Sequence, residues 1–482
     1  MRTVRTLMLL ALPLAASSLV HAGCGGLDLD VIVDGPDSAT EGNLGNDAGE
    51  GGTGEFGTGD ATTAKDGSSS SGDDTQAGYC AGKGPPVLVG GDGGFVSTCQ
   101  LAKNTFRYAL CTCDGGFVSS HALRTDAFDS TKGPYSAGSA TIGGSVGSNG
   151  NFSSSGEVDV GGSLWASSPS GITLGAASQA RAELHSAGNT STGPTFAVGT
   201  DAFVADNWNA NGSVSVPGKL TMPAGKTLTA PTKTIGTQVT APVSVGPACD
   251  CDPSKLLDIG GIVESFRTSA KNDNAAMGID PAAFESVQTA TTRAVPCGRL
   301  FLTRISTSAP LTLTLTGRTA IFIAGDVALG GDFKIDVPNG AELDLFIEGN
   351  VVASGAFQLG SSATPATARA YVGGTGTINL SQASTLAGNV YAPKAEAVLA
   401  SGGTVYGSVF VRRLATQGDL TIHFDESIVK GDPNCTPPST CKVCGDCGGG
   451  ACVGGKCGSC TDSSQCCAPL LCQNGSCVAS IR

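Results

Sequence analysis

A five-residue pattern keeps returning along the chain: an aliphatic residue, any residue, glycine, a small polar residue, then another aliphatic. It stands as Ile142-Gly143-Gly144-Ser145-Val146, Val160-Gly161-Gly162-Ser163-Leu164, Ile323-Ala324-Gly325-Asp326-Val327 and Ile347-Glu348-Gly349-Asn350-Val351. Leu386-Ala387-Gly388-Asn389-Val390 and Val405-Tyr406-Gly407-Ser408-Val409 repeat it, and Val216-Pro217-Gly218-Lys219-Leu220 is a looser copy. Ile142 to Val160 is 18 residues, Ile323 to Ile347 is 24, Leu386 to Val405 is 19, and Ile347 to Leu386 is 39, close to two of the shorter steps. The 24-residue step holds over its whole length, with Ile321-Phe322-Ile323 matching Leu345-Phe346-Ile347 and Gly331 to Ile335 matching Gly355 to Leu359.

Short strands and glycine corners at a period near 20 predict an all-β fold, a right-handed parallel β-helix-like solenoid. Strand alternation sends one aliphatic inward and the next residue outward. Glycine admits a bend or a positive φ at the corner, and Gly349 is expected to occupy such a place. The small polar residue after it is placed to stack on its counterparts, so Asp326, Asn350 and Asn389 are expected to form one ladder. Two solenoid stretches emerge, residues 136–245 and 298–425. Between them, residues 246–297 change period. Leu256, Ile259, Val263 and Phe266 have helical spacing, with Asp252 as the expected N-cap and Pro253 as the first helical residue. A disulfide across this insert, from Cys249 or Cys251 to Cys297, would close a loop of more than forty residues.

Composition fits stacked narrow layers. Aromatic residues make up only 5% of the chain against 71 glycines, so small side chains must fill much of the interior. The net charge of −13 is unevenly placed. Residues 25–79 hold twelve acids against the single base Lys65, and the remainder is nearly neutral. No basic patch points to nucleic acid.

The N-terminus has Arg2 and Arg5 followed by an apolar run from Leu7 to Val20, the layout of a signal peptide (1–24). Ala22-Gly23-Cys24 resembles a lipobox, with His21 departing from the usual aliphatic residue; cleavage after Ala22 is the alternative. Nineteen cysteines are odd, and acylation of Cys24 leaves 18 that can pair. Residues 25–79, rich in Gly, Ser, Thr and Asp, are expected to be a disordered tether, and residues 80–135 a cysteine-containing N-terminal cap.

With these residues in view, Asn272-Asp273-Asn274, Pro296-Cys297-Gly298-Arg299, Thr319 to Asp326, Leu343 to Phe346, Tyr391-Ala392-Pro393 and His423-Phe424-Asp425 resemble an uncharacterised bacterial surface domain over roughly residues 100–425. The resemblance implies a β-solenoid-type repeat in exported, sometimes pilus-associated proteins, and no established activity. The pattern also resembles polymer-forming bacterial cytoskeletal proteins; the signal peptide and cysteines count against that intracellular role.

Residues 426–482 form a cysteine-rich module. The stretch from Cys460 through Cys466-Cys467 to Cys472 and Cys477 resembles small disulfide modules of the Dickkopf and knottin kind. So short a segment needs staples to fold. Disulfides are expected at Cys80, Cys99, Cys111, Cys113, Cys249, Cys251, Cys297, Cys435, Cys441, Cys444, Cys447, Cys452, Cys457, Cys460, Cys466, Cys467, Cys472 and Cys477, in preference to zinc at the Cys-x2-Cys spacings, because the expected signal peptide places the chain outside the cytoplasm. Both cysteine blocks are odd in number, which invites one link between them, for instance from Cys435.

Parallel β-helices also carry polysaccharide lyases and hydrolases, which need carboxylates clustered with His, Arg or Lys. The residues to examine are Asp326, Asp332, Asp336, Arg412, Arg413, His423 and Asp425, the last two on one face of a strand. Asp326 occupies a repeat position shared with Asn350, Asn389 and Ser408, so a corner role is expected of it. The expectation is a non-enzymatic, cofactor-free surface protein with a structural or adhesive body, at the cell surface or outer membrane of a Gram-negative bacterium or else secreted. Its expected partners are the membrane, through a lipid anchor at Cys24, and surface glycans or other surface proteins. A carbohydrate-active or carbohydrate-binding β-helix is the alternative. A flat ladder of Thr, Ser, Asn and Gly would favour the first, and a groove of acids and aromatics the second.

Overall fold

The computed structural model describes residues 75–81, 89–91, 94–96, 105–253, 256–430, 451–466, 470–473 and 476–479. The signal segment with Cys24, residues 25–74 of the expected tether, and Cys99, Cys435, Cys441, Cys444, Cys447 and Cys467 lie outside the described residues. The last residues of that tether are not coil but enter the helix Gln76–Ala81, with Tyr79 buried.

The body is a parallel β-solenoid of about 14 turns. Each turn has three faces. Face A of one turn is Leu311–Leu315, face B Arg318–Ile323 and face C Val327–Leu329, and each pairs in parallel with its successor 22 to 24 residues on. Inward positions alternate with outward ones, as in Leu311, Leu313 and Leu315, all buried. A C-proximal stack runs from Thr291 to Asp425 and an N-proximal stack from Val146 to Thr240.

The two stacks are one structure, joined by residues the sequence reading assigned to a cap. Strand Leu110–Ser119 pairs on one side with Gly403–Thr416 and on the other with Val146–Ser148 and Phe152–Ser154. Leu420–Asp425 pairs with Gly403–Tyr406 on one side and with Leu123–Phe128 on the other. One turn is therefore composite: face A comes from Leu420–Asp425, faces B and C from Leu110–Ser119. The chain enters the solenoid in its middle and climbs to one end at Thr240. Residues 241–290 then carry it to the far end, where it starts again at Thr291 and winds back to the middle. Periodicity reports the strands but not this order, because either stretch end would accept a strand of the right pattern.

The five-residue pattern marks two different corners. Leu386 to Val390 pairs in register with Val405 to Val409, and Val409 continues through Leu110 to Val146 and Leu164, all at the corner between faces A and B. The copies at Ile323 and Ile347 close the corner between faces B and C. The 39-residue interval therefore compares unlike corners. The expected polar ladder holds from Asp326 to Asn350, whose backbone N–H donates to Asp326 Oδ1 at 2.8 Å, and extends to the Gly376 N–H on Asn350 Oδ1 at 2.9 Å. Asn389 is not in it; it lies buried on face B opposite Arg369 and Ser408. Gly349 does not have a positive φ. It is glycine because a Cβ there would stand 2.6 Å from the carbonyl carbon of Gly325 in the turn below.

Residues 241–290 act as a strap over face B. Their main helix is Ile259–Ser265, capped by Asp258, whose carboxylate accepts from the Gly261 N–H at 3.0 Å; Asp252 is not the cap. Three disulfides fix the strap and the N-terminal segment: Cys111–Cys249, Cys113–Cys251 and Cys80–Cys297. The expected bridge across the insert is thereby replaced by two bridges to the composite turn and one to helix Gln76–Ala81. In the C-terminal module Cys460 pairs with Cys472, and Cys452 and Cys466 are disulfide-bonded as well.

Candidate functional surface

The acids and bases singled out in the sequence are not brought together. Asp326 and Asp332 are corner acceptors, the latter taking the Ala356 N–H at 2.9 Å. Asp336 faces Lys334 at 3.5 Å. Arg413 reaches Glu396 at 2.7 Å, with Arg412 at 3.9 Å from the same carboxylate. His423 and Asp425 take different partners. His423 Nδ1 lies 2.7 Å from Asp126 Oδ1, and Asp425 Oδ1 accepts from the backbone N–H groups of Ser130 and Ser427 at 3.0 and 3.1 Å. Both interactions cross or flank the seam at the composite turn. The Tyr135 hydroxyl donates to Asp126 Oδ2 at 2.7 Å, and its ring stacks on His423 at 3.7 Å. Sequence reasoning missed Asp126 and Tyr135, since only the pairing of Leu420–Asp425 with Leu123–Phe128 brings them to His423.

The three outer faces differ in kind. Face A carries Lys334, Asp336, Arg124 and Asp159 among short polar residues such as Thr312, Thr385, Thr404 and Thr421. Arg124 pairs with Glu157 at 2.7 Å, and Asp159 with Arg181 at 2.6 Å.

Face B is covered. Its outward column in the C-proximal stack is aromatic: Phe301, Phe322, Phe346, Tyr371, Tyr391 and Phe410. Phe266 from the strap stacks on Phe322 at 4.0 Å, and Phe346 lies between Phe322 and Tyr371 at 5.3 and 4.7 Å. A second buried column is ionic. Arg299 pairs with Asp273 through two bonds of 2.9 and 3.1 Å, and Arg369 Nε with Asp344 at 2.5 Å. Burial works against the Arg369 charge, and Asp344 more than restores it, so the guanidinium stays protonated. Tyr79 of helix Gln76–Ala81 sits against Arg318 and Arg299, with ring centre to guanidinium distances of 4.6 and 5.4 Å. Burial raises its hydroxyl pKa far above the usual tyrosine range.

Face C is open and carries no charge down its central outward column. From one end to the other this column is Ser306, Ala328, Val352, Asn379, Val398, Ala415, Val118, Ser153, Thr173, Ser191, Asn209 and Thr229. All twelve side chains are short, and Val352 at 48% and Val118 at 37% are among the most exposed large hydrophobics. Strand spacing puts them about 4.8 Å apart along a line of roughly 50 Å. A void of about 40 Å³ lies inside the solenoid, lined by apolar side chains such as Ile378, Leu386, Val405 and Leu414.

Residues 252–430 match the domain of unknown function DUF7305. The match takes in most of the strap and the whole C-proximal stack. It is narrower than the 100–425 of the sequence resemblance, leaving out the N-proximal stack. No curated protein matches the chain. Among solved structures the chain is similar to the crystal structure of an ice binding protein from an Antarctic bacterium, Flavobacteriaceae. Identity is 12%, covering 67% of this chain and 97% of that one, with a TM-score of 0.17. Nothing about what this chain binds follows from a likeness at that level.

Proposed function

We propose that this is a non-enzymatic, exported cell-surface protein, acylated at Cys24, whose solenoid is a structural or adhesive body working through face C. The observation that carries the reading is the charge-free central outward column of twelve short residues on face C, whose outer side the strap leaves open; the Glu396–Arg413 pair stands beside this column on the same strands. Such a face is flat and stiff. It suits a partner that is itself flat, uncharged and repeating, since charges would have to be desolvated without partners. The disulfides that clip strap to solenoid support an oxidising, extracytoplasmic setting. The separate partners of Asp326, Asp332, Asp336, His423 and Asp425 favour this reading over a lyase or hydrolase.

Two measurements test it. Cys24→Ser should move the protein from the membrane to the soluble fraction; a wild type that is already soluble and cut after Ala22 removes the anchor. Purified mature protein should bind immobilised neutral glycans or cell-surface material, and Val352→Lys with Ser191→Lys should abolish that binding without changing the melt. Binding untouched by these lysines removes face C from the proposal.

Ordered water is a second reading of the same face. The column consists of hydroxyl, amide and methyl groups at one strand interval, without the aromatic rings that usually stack on sugars. Ice-affinity partitioning of the wild type, lost in the two-lysine variant, would select it over glycan binding.

A further inference from the structure

Each end of a solenoid offers unmade backbone hydrogen bonds to whatever strand comes next. At the N-proximal end the last strand is Thr232–Thr240, paired with Ser213–Met222. Val214, Val216, Leu220 and Met222 point inward and are buried. Their partners in the last turn are Lys233, Ile235, Gln238 and Thr240. Three of the four inward columns thus turn polar in the final turn. Lys233 Nζ donates to the Leu228 carbonyl at 2.9 Å, drawing its chain across the mouth of the solenoid.

The other end repeats the device. Thr291–Val295 pairs with Leu311–Leu315, and opposite the inward Leu313 stands Arg293. Its guanidinium lies 5.5 Å from the ring centre of Phe284. Here the strap already takes the edges of faces B and C. The Asp273 N–H donates to the Arg299 carbonyl at 2.8 Å, the Asn274 side chain bonds both backbone groups of Phe301, and Val287 bridges Thr307, so the edge left open to another copy is that of face A. Lys233 and Arg293 both belong to face A, in neighbouring inward columns. If one copy stacked head to tail on another with its faces aligned, the two cations would stand diagonally opposed about 7 Å apart.

We propose that Lys233 and Arg293 form a matched pair of stops that keep the solenoid from growing end to end, so that the body remains a rod of fixed length. An inward charge at a terminal strand cannot be covered by the next turn without losing its solvation. Cations at both ends add repulsion between copies to that cost.

The test is sedimentation velocity of the mature full chain and its variants, each checked for β signal and melting temperature. The wild type should be monomeric. Lys233→Glu should self-associate with concentration and dissociate as salt rises, because the glutamate meets Arg293 of the next copy. Adding Arg293→Glu to it should restore the monomer. Replacing both cations by valine should give association that survives high salt. If Lys233→Glu unfolds the end turn, Arg293→Glu alone poses the same question from the other end with the same expected result. A wild type that forms end-to-end oligomers overturns the proposal. So do folded charge-swap and valine variants that stay monomeric, and so does association of Lys233→Glu that Arg293→Glu does not reverse.

Discussion

The two stacks of this solenoid are wound the same way but stabilised differently. In the N-proximal stack paired residues are 18 to 20 apart and most strands have three residues. Its interior mixes aliphatics with Ser148, Ser154, Ser186, Thr190 and Thr192, all buried. In the C-proximal stack the steps lengthen to as many as 27 residues, and face B strands have five or six. The inner rows there are mostly Leu, Ile and Val with Phe333 and Phe357, and a second core lies outside the barrel, between face B and the strap. Turns of bulky residues make a wide face whose outward column must be covered, and the aromatic and ionic columns meet the strap for that reason. Lean turns leave less to cover. The same aromatic column continues into the N-proximal stack as Trp165, His185 and Phe203, only half buried.

This contrast can be broken at several points. The largest effect should come from Cys111→Ser with Cys113→Ser, which frees the strap from the composite turn. Each of those bridges closes a separation of 138 residues, and losing the pair should cost about 5 kcal/mol in the chain-entropy model. Urea unfolding measures this, and hydrogen exchange should rise first on face B of the C-proximal stack. Next, Arg369→Ala leaves Asp344 buried beside an uncompensated site and should cost about 3–5 kcal/mol. Its counterpart, Arg181→Ala, removes a pair whose arginine is half exposed and should cost under about 1 kcal/mol. Equal losses would deny the second core. Phe346→Ala should cost about 3–5 kcal/mol, against about 1–2 for Phe203→Ala in the same column. A smaller effect than those of the strap and the second core is expected for Gly349→Val, about 1–3 kcal/mol, from collision with the turn below rather than from backbone angle. Gly349→Ala should then recover only part of the loss, and a thermal melt showing full recovery would contradict the contact.

Much of the fold is legible in the sequence because it is local. The aliphatic-Gly-polar pattern encodes corners, and the 24-residue step aligns Phe322 with Phe346 as the structure does. What is not legible is long-range. Nothing in the residues from Leu110 to Phe128 says that they sit between strands ending at Asp425 and beginning at Val146. The strap was visible as a helical interruption, but its target was not, because the aromatic column it covers alternates like any buried strand. Cysteine parity could not distinguish a bridge across the insert from bridges to the composite turn. Of the candidate residues, Asp326 keeps the corner role expected of it, while His423 finds Asp126 instead of Asp425. The open column on face C escaped notice because its members are ordinary Ser, Thr, Ala and Val whose alignment appears only with the register.

The composite turn has a consequence for the order of the chain. Tyr108, whose carbonyl accepts from Ser408 Oγ at 2.5 Å, and Ser427, whose hydroxyl lies 3.0 Å from Ser130 Oγ, both belong to the joint. The point where the chain enters the solenoid and the point where it leaves are thus neighbours, while the strap bridges the two ends. In sequence the solenoid is a ring that has been opened at its middle turn. During synthesis face A of that turn is missing until residues 420–425 appear, so the joint is the last part to close. Moving the opening from the joint to the strap, by linking residue 430 to residue 105 and cutting near residue 245, would give a permuted chain whose turns follow one another in space as they do in sequence.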